Sequence, residues 1–483
     1  MLQTGRALSS LNGRAGMVLA GALLALTALP CAFAQDALAP PDGVDPAAPY
    51  LAYEPGPVFI YNVLLIDGTG APARLGIDVL IADGRIEGVG TDLEPPAGAR
   101  LVDGAGLTLI PGLVGAHNHT HMPGAPMLQR AAARLYLAAG VTTIRTVGAA
   151  SPLADLAMGR AADDGSVAAP RVSTSSPYVS GPGDAPVMVQ PASDAEARAF
   201  VRRWAEIGVG WVKLYRRVEP SIARAVIEEA HAHGLRVAGH LCSLTFAEAA
   251  ALGIDTIEHG LVSASDFVTG KPPGECVPGS VQAMAGVDPD GAAAQAVYRA
   301  LVENGTALVS TAAIVETRYP HRYQGDARVL QYLAPAFREA HDARQARLAD
   351  QARSEEPDPA FANALRFERA FFEAGGLLAA GVDAGRHNLP GFGDQRNYAL
   401  FLEAGFSPEE AVQVMTLNGA IVIGREAELG SVEAGKAADL VLLDGALPLD
   451  PSAITRPVLV FRGGQAFSPD RLLSGLEGRV GLQ

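Results

Sequence analysis

The chain has 483 residues, 49% hydrophobic and 18% charged, a globular composition long enough for one large domain or two to three smaller ones. Its formal net charge of −15 argues against the basic face a nucleic-acid binder needs. No apolar run beyond residue 34 approaches the roughly 18 to 20 residues of a membrane span, and three cysteines cannot make a disulfide scaffold.

Residues 1–34 read as a secretory signal peptide. Arg6 and Arg14 stand without an acid, an apolar run covers Met17 to Leu29, and Ala32-Phe33-Ala34 supplies an A-x-A cleavage site. Cleavage after Ala34 makes the protein periplasmic or secreted. It removes Cys31 and leaves Cys242 and Cys276, which an oxidising compartment lets pair but which spacing alone does not join. Residues 35–56, rich in Pro, Ala and Asp, read as a linker.

Residues 57–110 read as all-β. Val58–Leu65 is apolar and β-branched, Ile77–Ile81 follows, and Asp83-Gly84 separates it from Arg85–Val89, a hairpin signature. The far end mirrors this pattern: Ala438–Leu443 and Val458–Arg462 are strands closed by Asp444-Gly445 and Gly463-Gly464. The two ends, 57–110 and 425–483, are expected to pack together as one small β domain.

Between them, over 111–424, short apolar strands alternate with Ala/Glu/Arg-rich helices. Eight strand candidates start at Leu107, Val141, Arg171, Trp211, Arg236, Thr256, Ala307 and Leu377. Helical stretches at 195–207, 222–233 and 245–252 sit between them. Strand–helix alternation repeated eight times predicts a parallel (β/α)8 barrel, with a doubly wound open sheet as the rival. Segments 262–300 and 316–365 are too long for plain connectors and follow late strands, on the side where such barrels carry their active sites.

Five histidines fall at or near strand ends: His117, His119, His121, His240 and His259. In His117-Asn118-His119 the two imidazoles lie two residues apart on a strand and point the same way, which suits one metal ion. His121 continues the spacing and reads as a supporting or exposed residue. Asp383 follows the last strand and reads as a ligand, a proton shuttle or a helix cap. Lys213 sits inside the apolar run Trp211–Tyr215, although only three of the 37 basic residues are lysines. It either pairs with an acid or serves as an amine that takes up CO2 as a carbamate, an anion able to bridge two cations.

The ordered set Ile110-Pro-Gly-Leu-Val-Gly-Ala-His-Asn-His119, Ala139–Arg145, Val212–Tyr215, Ala230–His240, Leu252–Gly260, Ala380–Gly385, Met415–Ala420 and Leu429–Val441 resembles the amidohydrolase superfamily, and within it imidazolonepropionase-like and prolidase-like secreted enzymes. The resemblance runs over residues 57–465. It implies a (β/α)8 barrel with a β-sandwich built from both termini and a binuclear divalent site, usually zinc. Carried over by position, it places one ion on His117, His119 and Asp383 and the other on His240 and His259, bridged by carboxylated Lys213. The chain departs from many relatives at Gly115 (often Asp), at Thr146 after Arg145 (often Asp), and in 180–186, where no His stands.

The expected function is metal-dependent cleavage of a C–N amide bond in a dipeptide or N-acyl amino acid by a metal-bridging hydroxide. Asp383 would move the proton and Tyr215 would donate to the developing oxyanion. Arg216, Arg318, His321, Arg386 and His387 are the candidate partners of a substrate carboxylate. A cyclic amidase or mononuclear deaminase of the same superfamily is one rival, and a non-catalytic secreted metal-binding protein another. The bridging lysine argues against a one-ion deaminase. A small-molecule substrate is the only partner the sequence names; association between copies stays open.

Overall fold

The computed structural model describes residues 44–121, 129–277, 279–322, 325–385 and 388–481. The expected signal peptide, part of the expected linker, Arg386 and His387 lie outside the described residues.

The N-terminal hairpin forms as its turn predicts. Val58–Leu65 pairs antiparallel with Arg74–Ala82, and that strand with Arg85–Gly90. Asp83 and Gly84 both take positive φ, 47° and 77°, the backbone that a two-residue turn between twisted strands requires and that Asp-Gly tolerates. Strand Val58–Leu65 forks the sheet. Residues 58–61 pair in parallel with Arg100–Asp103, and Leu64 and Leu65 pair with Leu107–Pro111. The C-terminal strands Leu440–Asp444, Pro457–Arg462 and Gln465–Phe467 extend the same sheet, so strands from both ends make one eight-stranded layer system. One core holds it: Ile60, Val63, Val79 and Ile81 from the front of the chain are buried with Leu440, Leu442 and Phe461 from the back.

Leu107–Ile110 stands in the sequence both at the end of the 57–110 β segment and first among the eight barrel-strand candidates, and the structure corrects the second reading. It lies in the β domain, paired with Leu440–Asp444. Pro111 has no N–H to continue a ladder. Gly112 passes so close to the Thr142 side chain that a Cβ there would collide with it. The chain changes sheets at this pair, and the barrel opens with Leu113–Asn118.

Seven further parallel strands follow. The second is Val141–Thr146; the third is Arg171–Ser173 continued by Ser175–Val179; the fourth is Trp211–Leu214; the fifth is Arg236–Gly239; the sixth is Thr256–Glu258; the seventh is Ala307–Ser310; the eighth is Leu378–Ala380. Pairing runs in order from the first strand to the start of the third and from its continuation to the eighth. The eighth returns to the first through the Asp383 N–H, which donates to His117 O at 2.8 Å. Gly381 makes this approach possible, because a Cβ there would strike the His117 backbone. Helices pack outside, among them Asp194–Ile207, capped by Ser193 and stopped by Gly208 at φ 99°, and Phe246–Ala251, which carries a Thr245–Glu248 capping box. Segment 316–365 is largely helical, through Pro335–Ser354 and the start of Ala360–Glu373. No described helix is long and apolar enough to cross a membrane.

Candidate metal centre

The strand ends converge on a cavity of about 270 Å³ lined by His117, His119, Lys213, Tyr215, His240, His259 and Asp383. Every residue singled out as a ligand or catalytic group therefore reaches one site. His119 Nε2 lies 3.0 Å from Asp383 Oδ1 and His117 Nε2 lies 3.7 Å from the same oxygen. His259 Nδ1 is 3.8 Å from Asp383 Oδ2. Ligand atoms of His117, His259 and Asp383 all fall within 4.8 Å of one another. The His240 ring stands 4.4 Å from that of His259, and the Tyr215 ring 4.9 Å from His240.

The electrostatics suit ligation. Burial holds His117, His240 and His259 below the ordinary imidazole range, so each keeps a lone pair at neutral pH. Burial works to raise Asp383, but His117, His119 and Lys213 overcome it and keep its carboxyl far below the usual range. Burial brings the Lys213 ammonium down to about 8, and its Nζ has no hydrogen-bond partner. Two of these residues are held in the left-handed region, His259 at φ 71° and Asp383 at φ 48°. Such backbone costs of order 1 kcal/mol in a non-glycine residue and persists where surrounding contacts enforce it. At Asp383 that contact is the N–H bond to the first strand.

Sequence reading assigned no role to Glu258, the residue before His259. It is fully buried and accepts from His117 Nδ1 at 2.5 Å, from Arg145 Nη2 at 2.8 Å and from Thr256 Oγ1 at 2.6 Å. Binding Nδ1 leaves Nε2 of His117 facing the cluster. Arg145 is itself fully buried. It also reaches Thr256 Oγ1 at 3.0 Å and Ala116 O at 2.5 Å, and lies 4.3 Å above the Trp211 ring.

The departures from relatives have local reasons. A side chain at Gly115 would collide with Asn118. Asn118 Oδ1 accepts from the Val382 N–H at 2.8 Å and its Nδ2 donates to Asp394, tying the eighth strand to the first. Thr146 Oγ1 accepts from the Ser175 N–H at 3.3 Å. Around the third-strand loop, Tyr178 and Met188 line the cavity. His121, read as supporting or exposed, is buried and lines the cavity as well. His231 and His233 are surface partners of Asp255 and Glu229. Of the carboxylate candidates, Arg318 lines the cavity, while His321 Nε2 faces Glu355 O at 2.7 Å.

Glu368 is a buried carboxyl outside the cluster. Its Oε2 has no hydrogen-bond partner, and burial pushes it from 4.5 up to about 7. The folded state keeps a proton that the unfolded chain releases, so this group subtracts stability as pH rises through that interval. Glu368→Gln should therefore raise the melting temperature at pH 8, by a gain of up to about 3 kcal/mol. At pH 4 the two proteins should melt together. An equal shift at both pH values would show that ionisation is not the cause.

A parallel (β/α)8 barrel with four histidines, an aspartate and a buried lysine at its strand ends is the architecture of a metal-centred hydrolase scaffold. The chain belongs to the amidohydrolase family, which its residues 108–310 and 365–467 match. It is 37% identical over 95 residues to an imidazolonepropionase of Clostridium tetani, covering 18% of this chain and 22% of that one. The chain thus matches about a fifth of that relative's length. A prolidase-like structure from Bifidobacterium longum superposes with a TM-score of 0.64 at 25% identity, covering 87% of this chain and 99% of the other. A bottromycin amidohydrolase gives 0.65 at 22% identity, over 89% and 92% of the two chains.

Proposed function

We propose that this protein is an exported, metal-dependent hydrolase that cleaves the C–N amide bond of a dipeptide or N-acyl amino acid. The observation that carries the metal assignment is the orphaned Lys213 Nζ, buried among three lone-pair-bearing histidines and a carboxylate. An unpaired buried amine is costly, and conversion to a carbamate supplies the charge that two cations require. His117, His119 and Asp383 would hold one ion, His240 and His259 would hold a second, and a carboxylated Lys213 would supply the remaining anionic donor. Zinc is the first candidate, from the imidazole-rich donor set.

Bound divalent ions lower the pKa of water towards neutrality and polarise a carbonyl. The protein's own groups do the rest. Asp383, held as a carboxylate, accepts the proton released during attack and returns it to the leaving amine. Tyr215, half-buried with its ring against His240, donates to the oxygen that gains charge. Arg318 takes the substrate carboxylate. It lines the cavity from 311–364, the stretch between the two family-matching segments. The prolidase-like neighbour supports the dipeptide reading. The disulfide between Cys242 and Cys276 supports export, since such bonds persist in oxidising compartments.

The test is a panel of dipeptides and N-acyl amino acids assayed with zinc-loaded enzyme. Wild type should hydrolyse members of the panel. Arg318→Met should raise KM at least about tenfold with kcat little changed, the loss of a charge-assisted bond. Tyr215→Phe should lower kcat by about 10² and leave KM alone. Turnover confined to cyclic amides or amines would overturn the substrate class.

A further inference from the structure

The cavity has two unlike sides. Arg318 lines it from the loop after the seventh strand. In a closed ring of eight strands the seventh stands opposite the third. From that opposite side come Tyr178, near the end of the third strand, and Met188, in the loop that follows it; Val147 comes from the end of the neighbouring second strand. These three bring two apolar side chains and a phenol, and no charge. The loop that carries Met188 is tied down. The Ser180 N–H donates to Val189 O at 2.8 Å, the Val189 N–H to Tyr178 O at 2.9 Å, and the Arg217 N–H to Ser180 Oγ at 3.4 Å. Asp184, the one acid between Ser180 and Val189, accepts from Ser180 Oγ, lies 3.7 Å from Arg217 Nε and does not line the cavity. Among the described residues the one carboxyl that lines it is Asp383, which belongs to the metal site. The undescribed positions beyond residue 43 contain no Asp or Glu. A cation seated on the third-strand side would lose water and meet no opposite charge.

We infer that the acyl half of the substrate, seated against Val147, Tyr178 and Met188 while Arg318 holds the carboxylate half, carries an uncharged apolar side chain, and that Met188 sets this preference. This rests on the hydrolase reading above and narrows it. Methionine is unbranched and adaptable, so the wall it makes suits linear as well as branched apolar chains.

Substrate pairs that differ by one ammonium test this: norleucyl against lysyl, and hexanoyl against 6-aminohexanoyl. Each is joined to the amino acid the panel above favours, or to alanine where the panel gives no turnover. Wild type should favour the uncharged member at least about tenfold in kcat/KM. Met188→Glu sets a carboxylate on the wall, and the ratio should fall at least about tenfold. Met188→Leu keeps an apolar group and should hold the ratio within about twofold. Ile314→Glu puts the same charge on the Arg318 side of the cavity and should move the ratio far less than Met188→Glu. A general loss of folded or metal-loaded enzyme lowers both members alike and leaves the ratio unmoved. Wild type that takes the charged member equally well, or a ratio that Met188→Glu moves no more than Ile314→Glu does, overturns the inference. If wild type hydrolyses no member of either pair, the hydrolase reading falls separately, and calorimetric titration with the same pairs decides the wall. A tenfold preference for the uncharged member, lost in Met188→Glu, sustains it; equal affinities, or no binding, overturn it.

Discussion

Lys213→Ala should lower the metal content from about two ions per chain to one or none, and kcat by at least about a thousandfold. The content is read by plasma mass spectrometry on protein purified without chelator. Because the Lys213 Nζ has no hydrogen-bond partner and burial already disfavours its charge, the substitution should not unfold the chain; removing a buried unpaired amine relieves a desolvation cost that offsets the lost packing. Metal content and melting temperature therefore separate. Lys213→Met, which keeps most of the volume, should lose metal equally. The truncated site in Lys213→Ala leaves room for a small carboxylate, so added formate should restore part of the activity. Two ions retained by both variants would show that the lysine does not bridge.

The parts of the fold legible in the sequence are those that local chemistry decides. Asp83-Gly84 fixes its own turn, the alternation of strands and helices announces the barrel, and the two-residue spacing of His117 and His119 anticipates two imidazoles at one cavity. Assignments that depend on distant partners were not legible. The run Leu107–Ile110 has the composition of a barrel strand, and only its pairing with residues 440–444 puts it in the other sheet. Glu258 is 141 positions from His117 and 113 from Arg145, so nothing near it in sequence states its role. An acid directly before a histidine at a strand end was the available signal. The cationic candidates looked alike until the structure turned His321 to a backbone carbonyl and left Arg318 at the cavity. Gly115 read as a departure that put nothing in its place, whereas the Asn118 side chain occupies the space.

The Glu258–Arg145 pair should show opposite effects on metal binding from its two halves. Both side chains are fully buried, so removing either leaves an uncompensated charge; Glu258→Gln and Arg145→Met should each cost about 3–5 kcal/mol of stability. Removing both should cost much less than the sum, because no lone charge remains. Their effects on His117 differ in sign. Burial lowers its pKa, and the Glu258 charge pulls it back up. Glu258→Gln removes that pull, so metal should survive to lower pH, although affinity at pH 7 drops about 10–100-fold as the ring loses its orienting carboxylate. Arg145→Met leaves Glu258 to act on His117 alone. The imidazole should then protonate at a higher pH, and a protonated ring cannot bind metal. Metal content measured against pH, with the competing chelator set so that each variant is equally loaded at pH 7, should thus shift its midpoint down in the first variant and up in the second. Identical midpoints would mean that Glu258 does not govern the state of His117, and that the buried pair serves the barrel rather than the metal.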